Sequence, residues 1–210
     1  MIGSTKMIEN YLDKIIPNPK CELNYNKDYE LLLATMLSAQ TTDKRVNEVT
    51  KVLFNKYKTL DELSKADIKD VKKIIRPLGT YNIKSYNLIN IATKLVNDYN
   101  GQLPNNREYL ESLSGVGRKT TNVVLSNIFN VPCIAVDTHV SRVSKRLNLA
   151  SENDDPLKIE VKLNKKFKKE NLSKIHHQLV LFGRYYCKAK NPKCESCELK
   201  LICNYYKKLS

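Results

Sequence analysis

Leu113-Ser114-Gly115-Val116-Gly117-Arg118-Lys119-Thr120 joins two stretches of helical character, Glu108 to Leu113 before it and Thr120 to Ile128 after it. The order is helix, hairpin, helix. Gly115 and Gly117 allow a tight turn. The N–H groups of that turn, with the N-terminus of the helix that follows, make an anion site suited to one phosphate. An ordinary interhelical loop can use the same glycines, so the G-x-G turn alone identifies no function. Lys119 adds chemistry. It falls in the first turn of the second helix, where the positive dipole end disfavours an ammonium, and Arg118 pushes the same way. Partial burial would lower its pKa further and leave a free amine able to form a Schiff base. Without a partner in the argument, a lone lysine in a lysine-rich chain is an exposed, inert side chain.

Outward from the hairpin, apolar residues recur at helical spacing nearly everywhere and no segment alternates over strand length, which predicts an all-α fold. Tyr29, Leu32, Leu33, Met36 and Leu37 form one stripe; Ile175, Leu179, Phe182 and Tyr186 form another. Asp155 before Pro156 predicts an N-cap with proline at the first helical position, and Ser173 is a candidate cap for the helix carrying the second stripe. Turns are predicted at Pro77-Leu78-Gly79 and Asn100-Gly101 as well as at the hairpin. Lys158, Lys162, Lys165, Lys166, Lys168 and Lys169 interrupt the apolar positions Leu157, Val161, Leu163 and Phe167, the pattern of a solvated helix face. No repeat, heptad array or low-complexity linker is present.

The 210 residues suffice for one or two packed domains without disulfides. Met1 to Lys20 mixes charges among its apolar residues, unlike a signal peptide, and no stretch approaches transmembrane length, so a cytosolic protein with no membrane association is expected. There clustered cysteines bind metal more often than they pair. Lys and Arg total 36 against 22 Asp and Glu, a formal net charge of +14. That excess favours a polyanionic partner, although a lysine-rich surface kept for solubility has the same charge.

Cys187, Cys194, Cys197 and Cys203 run C-x6-C-x2-C-x5-C within 17 residues, so four thiolates can converge on one centre. The residues between them, Lys188, Lys190, Asn191, Pro192, Lys193 and Glu195 among others, do not look like core. Zinc and a 4Fe–4S cluster both accept four thiolates, and the single C-x2-C knuckle tilts the reading toward iron–sulfur, since zinc ribbons usually carry two. Cys21 and Cys133 are expected to be small buried residues. Val136-Asp137-Thr138-His139 follows an apolar run. Asp137 can cap the helix beginning near His139, and His139 taken alone is structural.

Taken together, the hairpin, Ala135-Val136-Asp137-Thr138-His139, the cysteine box, Leu37-Ser38-Ala39-Gln40-Thr41-Thr42-Asp43 and Tyr81-Asn82-Ile83-Lys84-Ser85 closely resemble the endonuclease III family of helix–hairpin–helix DNA glycosylases and abasic-site lyases. The resemblance spans nearly the whole chain in order. It implies two helical domains, a six-helix barrel-like domain over 23–131 and a second made of 1–22 and 132–210 with the cluster loop. It also implies a 4Fe–4S cofactor on the four cysteines, and a partner in double-stranded DNA carrying damaged bases or abasic sites, with DNA lying across the cleft between the domains. Lys119 matches the family's nucleophile and Asp137 its essential carboxylate. Gln40 matches the residue that fills the space left by a flipped nucleotide. Thr80, Gly115, Gly117, Arg118, His139 and Lys190 are the other expected DNA contacts, and a monomer removing oxidised pyrimidines is the expected enzyme. The cluster is then a staple for a basic loop, with no part in bond breaking.

Two positions depart from the family pattern. Thr80 stands where relatives often carry a leucine wedge, leaving Leu78 or Tyr81 as substitutes, and Ser114 stands where they usually have proline. An adenine-specific relative typically lacks the lysine and carries an extra C-terminal domain, so Lys119 and a chain ending at Ser210 argue against it. A non-catalytic iron–sulfur DNA-binding protein would not need both Lys119 and Asp137. A zinc-bound nucleic-acid module is the remaining alternative.

Overall fold

A computed structural model of the protein describes residues 2–208. Among these residues the regular structure is entirely helical, and no helix is long and apolar enough to cross a membrane. The chain divides into two compact units, one formed by 1–20 with 130–210 and the other by 21–129.

The unit 21–129 contains α2 (Asp28–Leu37), α3 (Asp43–Lys56), the short α4 (Leu60–Ser64), α5 (Ile68–Ile75), α6 (Tyr81–Tyr99), α7 (Arg107–Ser112) and α8 (Arg118–Ile128). Here α2 is the centre. Leu31, Leu32, Leu33, Ala34 and Leu37 are all fully buried, so the helix is apolar around its whole circumference and the stripe read from the sequence is only part of it. It packs on α3, α6 and α8, while α4 and α5 lie along α6. Helix starts are set by side chains that accept first-turn N–H groups: Thr59 from Glu62 (3.1 Å), Asp67 from Lys69 (2.8 Å) and Asn106 from Tyr109 (3.0 Å). The predicted stop at Asn100-Gly101 is present. Both residues are left-handed (φ 50° and 77°), and the Gly101 N–H donates back to Leu95 O at 2.9 Å.

The unit of 1–20 and 130–210 contains α1 (Ile2–Ile15), α9 (Thr138–Arg146), α10 (Pro156–Lys166), α11 (Leu172–Tyr185) and α12 (Asn204–Lys207). In it α11 packs on α9 and α1. Phe182, 2% exposed, joins them: its ring meets Tyr11 edge-on at 6.1 Å and stacks on Tyr186 at 5.9 Å. Asp155 caps α10 by accepting from Lys158 N at 2.8 Å, with Pro156 at the first position. Ser173 is not the cap of α11; the helix already begins at Leu172, with Asn171 before it. On α10 the core side is Ile159, Glu160 and Leu163, while Leu157 and Val161 are exposed. The interrupted apolar pattern therefore mixes two faces, and most of the lysines around it are exposed or half-buried.

The hairpin between α7 and α8 is held from both sides of the turn. Leu113 and Val116 are buried, and the Val116 N–H donates to Leu113 O at 3.0 Å. Gly115 between them is left-handed at φ 76°, and an added Cβ would meet Asn87 Cγ at 3.2 Å and Met36 Cγ at 3.4 Å while overlapping Asn87 Nδ2. Ser114 Oγ donates to Asn90 Oδ1 at 2.9 Å. The serine thus ties the turn to α6 by a hydrogen bond where a proline would have stiffened the backbone. Gly117 differs from Gly115. It is extended (φ −108°, ψ −177°) and has open space around its missing Cβ, but as the N-cap of α8 it supplies no capping side chain. Gly115→Ala should therefore lower stability by about 1–3 kcal/mol, whereas Gly117→Ser, which adds a favoured cap, should leave it unchanged or raise it by a few tenths of a kcal/mol. Thermal and urea unfolding of the two variants in the absence of ligand checks the contrast.

Candidate functional site

Lys119 is the second residue of α8 and is exposed, as are Arg118 before it and the glycines of the turn. The partial burial invoked from the sequence is not found; what the fold provides is position. The helix begins with the Thr121 N–H donating to Gly117 O at 3.0 Å, and Gly117 brings no side-chain cap to the first turn that carries the lysine. Two further exposed residues of this unit, Gln40 and Thr80, occupy turn positions in the left-handed region (φ 57° and 41°), which is uncommon for side chains other than glycine and asparagine.

Asp137 belongs to the other unit, where it closes the irregular segment 130–137 whose Ile134 and Ala135 are buried. It is the N-cap of α9: Oδ1 accepts the Val140 N–H at 2.8 Å. The cap uses one carboxylate oxygen and holds the side chain in a fixed rotamer, so capping and a chemical role are compatible at this position. His139, the second residue of α9, accepts from Arg142 Nη2 at Nδ1 (3.2 Å), and its Cβ would stand 2.9 Å from a Cβ on Gly183. That close approach packs the Cβ side of His139 against α11 and leaves the residue half-buried. Lys119 and Asp137 are each placed by their own unit.

The four box cysteines line one pocket together with Tyr11, Phe182 and Tyr205. Local turns set their positions. The Cys187 N–H donates to Phe182 O (2.7 Å) at the end of α11, Cys197 N–H to Cys194 O (3.1 Å) and Cys203 N–H to Lys200 O (3.2 Å). Burial pushes the Cys194 and Cys197 thiols above the ordinary cysteine range, and the charges of Cys187 and Cys203 add to it. Among the described residues no three His, Cys, Asp or Glu side chains are grouped as a single metal ion would need. Four cysteine thiols on one pocket are a donor set that zinc and an iron–sulfur cluster both accept.

Two arginines that the sequence reading passed over join this pocket to α9. Arg146 Nη1 donates to Cys187 Sγ at 3.4 Å and to Lys188 O at 2.7 Å, and its guanidinium lies 3.7 Å from the Tyr205 ring centroid. Arg142 donates to Gly183 O (2.6 Å) and Cys187 O (3.1 Å), and burial holds it below the ordinary arginine value. Their i, i+4 spacing, beginning three residues after His139, is the available signal. The loop that follows Cys187 closes with the Lys193 N–H donating to Tyr186 O at 3.0 Å, leaving Lys188 and Lys190 exposed. Of the cysteines outside the box, Cys133 is buried but Cys21 is only half-buried, which corrects the expectation for the latter.

Known proteins account for this arrangement. A family model described as HhH-GPD superfamily base excision DNA repair protein matches residues 33–169. Endonuclease III of Bacillus subtilis strain 168 is 45% identical over 201 residues, which cover 94% of this chain and 92% of that one. Among solved structures, a non-covalent endonuclease III–DNA complex superposes with a TM-score of 0.96 at 43% identity, covering 100% of this chain and 98% of the other. A trapped endonuclease III–DNA covalent intermediate, an estranged-adenine complex, gives 0.93 at 44% identity and covers 98% of each. The chain belongs to the endonuclease III family, within the HhH-GPD superfamily of base excision DNA repair proteins.

Proposed function

We propose that the protein is a bifunctional DNA glycosylase and abasic-site lyase of base excision repair, acting on double-stranded DNA in the compartment that holds it, with oxidised or ring-saturated pyrimidines as its substrates. The observation that carries the reading is Lys119 in the exposed first turn of an uncapped helix directly after the glycine hairpin. Its support is the covalent intermediate trapped on a relative of nearly the same length and 44% identity.

The chemistry requires a nucleotide turned out of the stack, because the sugar C1′ is otherwise out of reach of a side chain. The amine of Lys119 attacks C1′, the glycosidic bond breaks and the base leaves. Loss of a proton from the nitrogen and opening of the sugar ring then give the imine. The protonated imine acidifies the C2′ proton; its removal expels the phosphate on the 3′ side by β-elimination. Asp137 stabilises positive charge on the sugar and helps take the amine proton, and the cap bond to Val140 keeps its carboxylate oriented while it does so. The hairpin N–H groups with Gly115, Gly117 and Arg118 hold a phosphate, Gln40 fills the place of the turned-out nucleotide, and Thr80, His139 and Lys190 supply further DNA contacts. The two units are the barrel-like and cluster domains of this enzyme.

Cys187, Cys194, Cys197 and Cys203 would hold a 4Fe–4S cluster, whose own chemistry is electron transfer and which takes no part in the steps above. What this chain does around it is structural. Arg146 places a positive charge against the Cys187 sulfur and clamps the Lys188 and Ala189 carbonyls, so the basic loop is shaped by the residues that ligate.

Borohydride should trap the protein on duplex DNA with an abasic site, and Lys119→Ala should yield no adduct. Asp137→Asn should keep the cap, since an amide oxygen accepts the same N–H, yet slow trapping by about 10²-fold or more; equal rates would remove Asp137 from the chemistry. The purified protein should carry iron and a broad visible absorbance that Cys197→Ser diminishes, while a colourless zinc protein would overturn the cluster assignment.

A further inference from the structure

The loops carrying Gln40 and Thr80 meet at one buried ammonium. Lys84, the fourth residue of α6, is 4% exposed. Its Nζ donates to Ala39 O (2.9 Å), Leu78 O (3.1 Å) and Thr41 Oγ1 (3.3 Å), and the Thr41 hydroxyl donates onward to Leu78 O at 2.8 Å. Three N–H groups and three acceptors saturate the ammonium. Burial alone holds it below the usual lysine range. An ammonium near the positive end of a helix, buried on two carbonyls and a hydroxyl, is an expensive choice where an apolar side chain of similar length would fill the space.

The two carbonyls explain it. Ala39 O belongs to the peptide preceding Gln40, and Leu78 O to the peptide preceding Gly79; the orientation of each plane sets φ of the residue after it. Those residues are left-handed at 57° and 68°, and Thr80 follows at 41°. Within the 38–41 turn the Thr41 N–H donates to Ser38 O at 3.0 Å and the Thr41 hydroxyl reaches Ala39 O at 3.3 Å, so Thr41 and Lys84 together hold the Gln40 peptide.

We propose that Lys84 is a positioning residue that locks both peptide planes and so holds Gln40 and Thr80 in one fixed relation, ready to enter a duplex as a nucleotide leaves it. This rests on the reading of Gln40 as a DNA contact. The role concerns opening of the duplex and not the attack on C1′. The test is the rate of borohydride adduct formation on one abasic oligonucleotide, as duplex and as single strand, for wild type, Lys84→Met, Thr41→Val and Gln40→Ala. Lys84→Met should slow the duplex reaction about tenfold or more and leave the single strand within about twofold, with Thr41→Val acting in the same direction but more weakly. Thr41→Val decides the matter if Lys84→Met does not fold. Equal losses on both substrates mark a general structural role, and no loss on either marks no role; each overturns the proposal. A Gln40→Ala protein with normal duplex rates shows instead that the reading of Gln40 has failed, and the proposal fails with it.

Discussion

The placement of Lys119 in the unit 21–129 depends on one backbone constraint, the reversal between α7 and α8. A chain that must turn back between buried Leu113 and Val116 has room for a left-handed residue and no room for a side chain, because Asn87 and Met36 already fill that space. Gly115 meets both demands. The direction of α8, and with it the outward placement of its first turn, follows from this turn. Asn87 and Asn90 on α6 complete the support, one against Gly115 and the other bonded to Ser114.

In the other unit the organising interactions are ionic and buried. Arg146, 9% exposed, and Arg142 on the same face of α9 bring two positive charges to the end of α11. Carbonyls of residues 183 and 187–189 accept from both guanidinium groups, and the Cys187 sulfur accepts from Arg146. Two acidic groups, the Cys187 sulfur and the Asp137 carboxylate, act on Arg142 by charge. The same helix begins at Asp137, so one element orients the proposed catalytic carboxylate at its start and braces the cysteine loop from its later turns.

Features written in local chemistry were legible in the sequence: the glycine turn, the caps at Asp155 and Asp137, the stop at Asn100-Gly101, and the apolar stripe of α11. Each depends on residues within a few positions of one another. What failed to show depends on distant packing. Ser173 has cap chemistry, but α11 starts before it. Leu157 and Val161 have core chemistry, but the helix turns Ile159 and Leu163 inward. Burial of Lys119 was a guess about surroundings that a helix position cannot supply. Lys84 lay in plain view within Tyr81-Asn82-Ile83-Lys84-Ser85, yet its acceptors are carbonyls as far as 45 residues away, and carbonyls leave no mark in a sequence.

The N-terminal helix has a consequence for how the chain is made. Asp13 on α1 pairs with Lys174 at 2.6 Å and accepts from Gln178 Nε2 at 2.8 Å, while Lys14 reaches Glu198. These contacts close across more than 160 residues, so α1 finds its place only after α11 has been made. The continuous unit 21–129 can fold while α1 waits, exposed and amphipathic, for α11 to be synthesised. Assembly of the cysteine-bearing unit is therefore a late, long-range event.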